Sequence, residues 1–160
     1  MKHLERRRVS LATFLASKKP ETRPVKVVVG VVTFAEDKVL LLQRSATELH
    51  FPNIWELPSG KVESEDPTFL DAATRECFEQ TGMTVTEFLE EAESFEYTVE
   101  GRGLTLQLNF IVAASGDVVI SHEHQRYKWC TETELKRIGV TNSTQTVLMG
   151  AFEWQRRRTH

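Results

Sequence analysis

Two cysteines, Cys77 and Cys130, are too few to staple a chain of 160 residues, so a disulfide scaffold is excluded. Both read as buried thiols in a reduced, intracellular setting. Long apolar runs are missing as well. The longest, Val27 to Phe34, is broken by Gly30 and Thr33 and is far too short to span a bilayer. Neither sign of charge dominates: 20 Lys and Arg stand against 23 Asp and Glu, a net of −3, which gives no electrostatic case for nucleic-acid binding by the whole chain. Repeats and low-complexity tracts are absent. With 40% apolar residues, what is left is one domain with one core.

What the chain does have is residues 60–82, GKVESEDPTFLDAATRECFEQTG. A glycine turn leads through an acidic loop into a predicted helix. Asp66 is placed to cap that helix and Pro67 suits its first turn. Leu70, Ala73, Cys77 and Thr81 recur at helical spacing and should face a core. Glu76, Glu79 and Gln80 share another face. Carboxylates held side by side repel unless a cation sits between them. Oxygen donors at this density suit Mg²⁺, which keeps several waters and binds substrate phosphates.

Gly60, Glu63, Arg75-Glu76-Cys77-Phe78-Glu79-Gln80 and Gly82-Met83 resemble the Nudix box, G-x5-E-x7-R-E-U-x-E-E-x-G-U, and Trp55-Glu56-Leu57-Pro58 precedes it as in that family. The likeness runs, more weakly, from about residue 25 to 138. Three departures stand out. Arg75 follows Gly60 by fifteen residues instead of fourteen, so the acidic loop is one residue longer. The box's first Glu is replaced by Asp66, or by Glu65 if the insertion falls elsewhere. The last Glu, commonly a metal ligand in the family, is Gln80.

The resemblance implies a Mg²⁺- or Mn²⁺-dependent hydrolase of a nucleoside diphosphate linked to another moiety, or of a similar organic pyrophosphate. It makes Glu79 a metal ligand and Glu76 a ligand or base. Arg75 would orient the carboxylates, and the Gly60 carbonyl would complete the metal shell. Glu63 and Glu123, the latter in the loop Ser121-His122-Glu123-His124-Gln125, are the candidates for a further ligand or the base, and Gln80 still offers a carbonyl oxygen. Arg44, Trp55 and Glu63 are candidate substrate contacts. Arg44 also reads as a solvated strand end, and Trp55 as a core or pocket-wall aromatic. His122 and His124 invite a zinc reading, but two histidines alone make a weak site, and loop histidines are the plainer reading.

Elsewhere, Leu11, Phe14 and Leu15 suggest an amphipathic helix packed on the domain, with Pro20 to Pro24 as a linker. A signal peptide or mitochondrial presequence fits this stretch less well, and the expected location is the cytoplasm. Residues 25–34 and 38–43 read as a β-hairpin, 83–86 and 93–99 as strands separated by a solvated acidic stretch, and 104–114 as a central strand. Val118 to Ile120 reads as a short strand, followed by one through Trp129. Thr131 caps a short helix ending at Gly139, and a last helix runs from about Ser143 to Arg157. The fold class is α/β (α+β), and the resemblance implies the Nudix α/β/α sandwich with a mixed sheet. Residues 1–24 form an extension and 25–160 the domain. The partner is a small-molecule diphosphate, with neither nucleic acid nor membrane expected. Gln80 leaves open a competing reading, a protein that kept the fold without the hydrolysis and binds a ligand or runs another reaction.

Overall fold

The chain enters through two short helices, α1 (Lys2–Glu5) and α2 (Leu11–Ala16), in a computed structural model that describes residues 2–159. Strands β1 (Lys26–Ala35), β2 (Lys38–Arg44), β3 (Trp55–Glu56) and β4 (Ser59–Lys61) lead to helix α3 (Phe69–Thr81). After it come β5 (Thr84–Glu91), β6 (Phe95–Val99), β7 (Gly103–Ser115), β8 (His124–Thr131), α4 (Glu132–Leu135) and α5 (Asn142–Arg158).

The sheet is mixed. β1 pairs in parallel with β7, and every other pairing is antiparallel. The β1–β2 hairpin is paired only at its tip, Phe34 with Val39 and Ala35 with Lys38. From there the strands part. β1 takes β4 and β7 as neighbours, while β2 takes β3 and β8.

Alternation along β1 sends Val27, Val29 and Val31 to one core and Val32 to another. The first core holds Leu70, Ala73 and Cys77 of α3 as their spacing predicts, with Thr81 also fully buried. The second lies under α4 and α5 and contains Val147, Leu148, Ala151, Phe152 and Trp55. Helices thus cover both faces of the sheet, the three layers expected. Cys77 and Cys130 are both buried and free, and no helix among the described residues is long and apolar enough to cross a membrane.

Phe14 of α2 meets Phe69 of α3 edge-on at 5.1 Å, and the first amide of α3, Phe69 N–H, donates to the Val9 carbonyl at 3.1 Å. The N-terminal segment therefore supports the start of the helix that carries the acidic residues. Leu11 and Leu15 pack on the same core, as their pattern suggests.

Four local expectations are corrected. Asp66 does not cap α3. Thr68 does, accepting from the Asp71 N–H at 3.2 Å and donating its hydroxyl to the Asp71 carboxylate at 2.8 Å. Two candidate caps lay within three residues, and Arg75 claims the aspartate. The acidic stretch after α3 is strand β5, its alternation scrambled by register shifts between Val85 and Glu87 and between Phe88 and Glu90. Nor is that stretch simply solvated: the Glu91 side chain is 7% exposed and pairs with Arg6 and Arg7 at 2.7 and 2.9 Å. Val118 to Ile120 forms no strand. A single Val119 N–H bond to the Thr81 carbonyl, 2.7 Å, ties it to the end of α3 while Val118 and Ile120 cover the first core. Finally, α4 stops at Leu135, well short of Gly139.

Candidate active site

The opening between the diverging strands holds a cavity of about 740 Å³. Gly60 and Lys61 of β4, Glu76, Glu79 and Gln80 of α3, and Glu123 of the loop before β8 line one side. Arg44, Glu56 and His124 come from β2, β3 and β8. Trp55 and Glu63 are not among the lining residues. Trp55 lies in the second core at 8% exposure, with the Arg126 guanidinium 5.5 Å from its ring centroid, and the Glu63 amide donates to Asp66.

Arg75 organises the acidic wall. Its Nε and Nη2 form a fork on Asp66 at 2.9 and 2.8 Å, and its Nη1 reaches Glu76 at 2.8 Å and Glu79 at 3.1 Å. A fifth bond goes to the Lys61 carbonyl at 3.1 Å. A planar guanidinium can serve this many oxygens at once where an ammonium cannot. The Arg75 hydrogen bond holds the Asp66 carboxyl below its ordinary pKa, against the opposing effect of burial. Glu76 goes the other way: burial pushes it up, Arg75 only partly offsets this, and the charges of Glu79 and Glu123 add to the rise. Gly60 leaves the room that the Glu76 carboxylate occupies, since a Cβ built there would fall on that carboxylate itself and displace it.

Gln80 is 8% exposed, and its Nε2 donates to Glu123 at 2.9 Å. Flipping the amide would set oxygen against carboxylate, so chemistry selects this orientation. It leaves Gln80 Oε1 buried without a hydrogen-bond partner. Helix periodicity put Gln80 on the acidic face, but nothing local signals a bond to a residue 43 positions away.

On the opposite wall, Arg44 bonds Glu48 at 3.2 Å and the His50 carbonyl at 3.2 Å, and approaches Glu56 at 3.5 Å. His124 Nε2 meets Glu56 at 2.8 Å. Sequence reasoning placed Arg44 here but missed its acidic partners, which sit in a loop and a two-residue strand with no periodicity of their own.

The donors around α3 are all oxygens: Glu76, Glu79, Glu123, the Gly60 backbone and the unpartnered Gln80 Oε1. This set fits a hard divalent cation. Among the described residues no three His, Cys, Asp or Glu side chains are drawn together as a ready cage. A bound cation would therefore take part of its shell from water and substrate oxygens.

The Gln80 bond yields a prediction. Gln80→Glu replaces a 2.9 Å hydrogen bond to Glu123 by two facing carboxylates. Without metal the variant should melt a few degrees below the parent, roughly 2–4 °C for each kcal/mol lost. Added Mg²⁺ should raise its midpoint more than it raises the parent's, because binding to the folded form stabilises it by mass action. Identical melting of both forms with and without Mg²⁺ would show that residue 80 neither touches Glu123 nor senses a cation.

The NUDIX domain family model matches residues 24–149. The CTP pyrophosphohydrolase of Escherichia coli K12 is 33% identical over 109 residues, covering 67% of this chain and 76% of that protein. The RNA pyrophosphohydrolase of Bartonella tribocorum is 37% identical over 82 residues, 48% of this chain and 47% of that protein. Among solved structures, that of the E. coli ORF135 protein superposes with a TM-score of 0.72 at 25% identity, over 88% of this chain and 98% of that one. The chain spans 49%, 22% and 47% of the length of the first curated relatives it matches. With the matched segment running from just before β1 into α5, and with the fork of Arg75 on its carboxylates at its centre, this chain belongs to the NUDIX domain family.

Proposed function

We propose that this chain is a pyrophosphohydrolase: with Mg²⁺ or Mn²⁺ it hydrolyses a nucleoside diphosphate linked to another moiety, or a similar organic pyrophosphate. The observation that carries the reading is the Arg75 fork, which presents Glu76 and Glu79 on the wall of a cavity also lined by the cations Lys26, Arg44 and Lys61. A pyrophosphate resists water because its negative charge repels a nucleophile and its leaving group must be neutralised. The named cations supply part of that neutralisation.

Glu76, Glu79, the Gly60 carbonyl and Gln80 Oε1 are the residues that would hold the metal. When bound, it neutralises phosphoryl oxygens and lowers the pKa of a water. Arg75 fixes the directions of the Glu76 and Glu79 carboxylates, which would otherwise repel and swing apart. The Gln80 amide tethers one oxygen of Glu123, so that this loop carboxylate stays at the cavity. Glu123 is assigned as the base: it accepts the proton of the attacking water as the new P–O bond forms and the bridging P–O bond breaks, releasing two phosphorylated products. A cytoplasmic location suits the two free thiols.

The test is a product assay over nucleoside triphosphates, nucleotide sugars, ADP-ribose and dinucleoside polyphosphates, with Mg²⁺ and with chelator. Chelation should abolish turnover. Glu79→Gln should lower it by about 10²- to 10³-fold, a loss of about 3–4 kcal/mol of transition-state stabilisation. Glu123→Ala should lower turnover with an almost unchanged thermal midpoint. Unchanged turnover in Glu79→Gln, or hydrolysis that survives chelation, would remove this reading.

A further inference from the structure

A second cavity, about 270 Å³, adjoins the first and shares Lys26, Lys61 and Tyr97 with it. Its chemistry differs. The first cavity is lined by five carboxylates; the second by none, and it adds Arg102. Lys26, Lys61 and Arg102 make no ion pair among the described residues, although ion pairs elsewhere on this surface are common.

The sheet builds this cavity from its own register. Thr105 of β7 is paired with Lys26 on one side and Tyr97 on the other, so these three form one lateral row. The next row on the same face is Val28, Gln107 and Phe95, with Lys61 paired to Val28. Rows two residues apart on one face are about 6.6–6.8 Å apart, close to the span from one nucleotide phosphate to the next. Arg102 is held at the tip of the β6–β7 hairpin, where its N–H donates to the Val99 carbonyl at 2.8 Å and Gly101 and Gly103 take φ of 77° and 89°. Tyr97 presents a ring that is 40% exposed between the two cavities.

Unpaired cations around an exposed aromatic face are what a nucleotide needs: charge for the phosphate and a surface on which a base stacks. We propose that the second cavity is a subsite for a second nucleotide of the substrate. Its phosphate lies against Arg102 and its base against Tyr97. The scissile pyrophosphate occupies the acidic cavity, and Lys26 and Lys61, which line both cavities, stand between the two. The proposal rests on the hydrolase reading for its direction, but the subsite itself is a matter of binding. It makes Arg102 a specificity residue, remote from the reacting atoms, that favours two-nucleotide substrates over single nucleotides. The second nucleotide could arrive on a polyphosphate bridge or as the next residue of an RNA 5′ end.

Binding is titrated by calorimetry in a Glu79→Gln background, so that turnover does not consume the ligands. The probes are ATP, diadenosine tetraphosphate and the 5′-triphosphorylated dinucleotide pppApA. Arg102→Ala should weaken the two-nucleotide ligands about tenfold, the loss of one charge-assisted contact. Arg102→Glu should weaken them further, and Arg102→Lys should recover most of the loss. ATP affinity should stay within about twofold throughout, and for pppApA the slope of log K against log salt should fall by about 0.7 on losing Arg102. A response confined to diadenosine tetraphosphate assigns the subsite to a polyphosphate bridge, and one confined to pppApA to an RNA 5′ end. Parental affinity for both in Arg102→Glu overturns the proposal, as does equal loss for all three ligands. So does failure of the parent to bind either two-nucleotide ligand more tightly than ATP. Absence of any hydrolysis by the parent enzyme would sink the hydrolase reading alone and leave this binding result standing.

Discussion

Arg75→Met is expected to cost about 3 kcal/mol of stability and to take turnover down with it. The cost follows from what is left behind. Asp66 and Glu76, at 7% and 11% side-chain exposure, lose the guanidinium that compensates them. Stranding one member of a buried ion pair costs about 3–5 kcal/mol, and the 31% exposure of Arg75 puts this case at the low end. At roughly 2–4 °C per kcal/mol for a chain of this size, the midpoint should fall by about 6–12 °C. Turnover should fall about 10- to 100-fold or more, as when the partners that orient metal-binding carboxylates are removed. Arg75→Lys should recover little, because an ammonium cannot fork on Asp66 and reach Glu76 and Glu79 together.

The same pair of proteins should differ in the sign of a pH effect. The folded pKa of Asp66 lies below its ordinary 3.8, chiefly through the Arg75 hydrogen bond. Its contribution is therefore complete above about 3.8 and is lost as pH falls through the lower folded value. In Arg75→Met the buried carboxyl has no cation, so burial, which outweighs the remaining Glu63 N–H bond, raises its pKa. Protonation then relieves a penalty, and the variant should gain stability relative to its own neutral value as pH drops toward 4. Glu76, already raised by burial, contributes with the same sign in both proteins. Thermal midpoints measured from pH 3 to 7 should converge at the acid end. Curves that stay parallel would mean that Asp66 does not depend on Arg75.

Helix α3 was legible because its information is local. Leu70, Ala73, Cys77 and Thr81 repeat at the helical period and are buried, and Glu76, Glu79 and Gln80 fall together on the cavity. What sequence could not show are bonds between residues far apart in the chain. Arg7 with Glu91 and His124 with Glu56 are separated by 84 and 68 residues, and each member alone looks like a solvated charge or a loop histidine. The lateral row of Lys26, Thr105 and Tyr97 exists only once three strands are in register. Asp66 failed as a cap for another reason. An aspartate and a threonine both suit the position by local rules, and only the fold decides which one a remote arginine takes. In β5, two register shifts displaced the period on which strand reading depends.

The other large effect concerns a residue with no side chain. Gly60→Ala should lower turnover about 10²-fold or more, as loss of a well-placed charge near the reacting groups does when each ~1.4 kcal/mol is tenfold. A methyl group on Gly60 would occupy the place of the Glu76 carboxylate. Gly60 has no positive φ, so the obstacle is steric and lies in this one contact. Two relaxations are open. Glu76 can swing out, breaking its bond to Arg75, or β4 can shift against β1, where Gly60 is paired with Val29. Overpacking of this kind typically costs about 1–3 kcal/mol. The double variant Gly60→Ala/Glu76→Ala tells the two apart. If the clash is with the Glu76 carboxylate, shortening residue 76 makes room for the methyl, and the double variant should be more stable than Gly60→Ala alone. Its turnover should stay as low as that of Glu76→Ala, because the carboxylate is gone by either route. The cycle would then show strong coupling in stability and none of the additivity expected of independent sites. Additive losses in stability would mean that β4 moves instead and that Gly60 serves the sheet rather than the acidic wall.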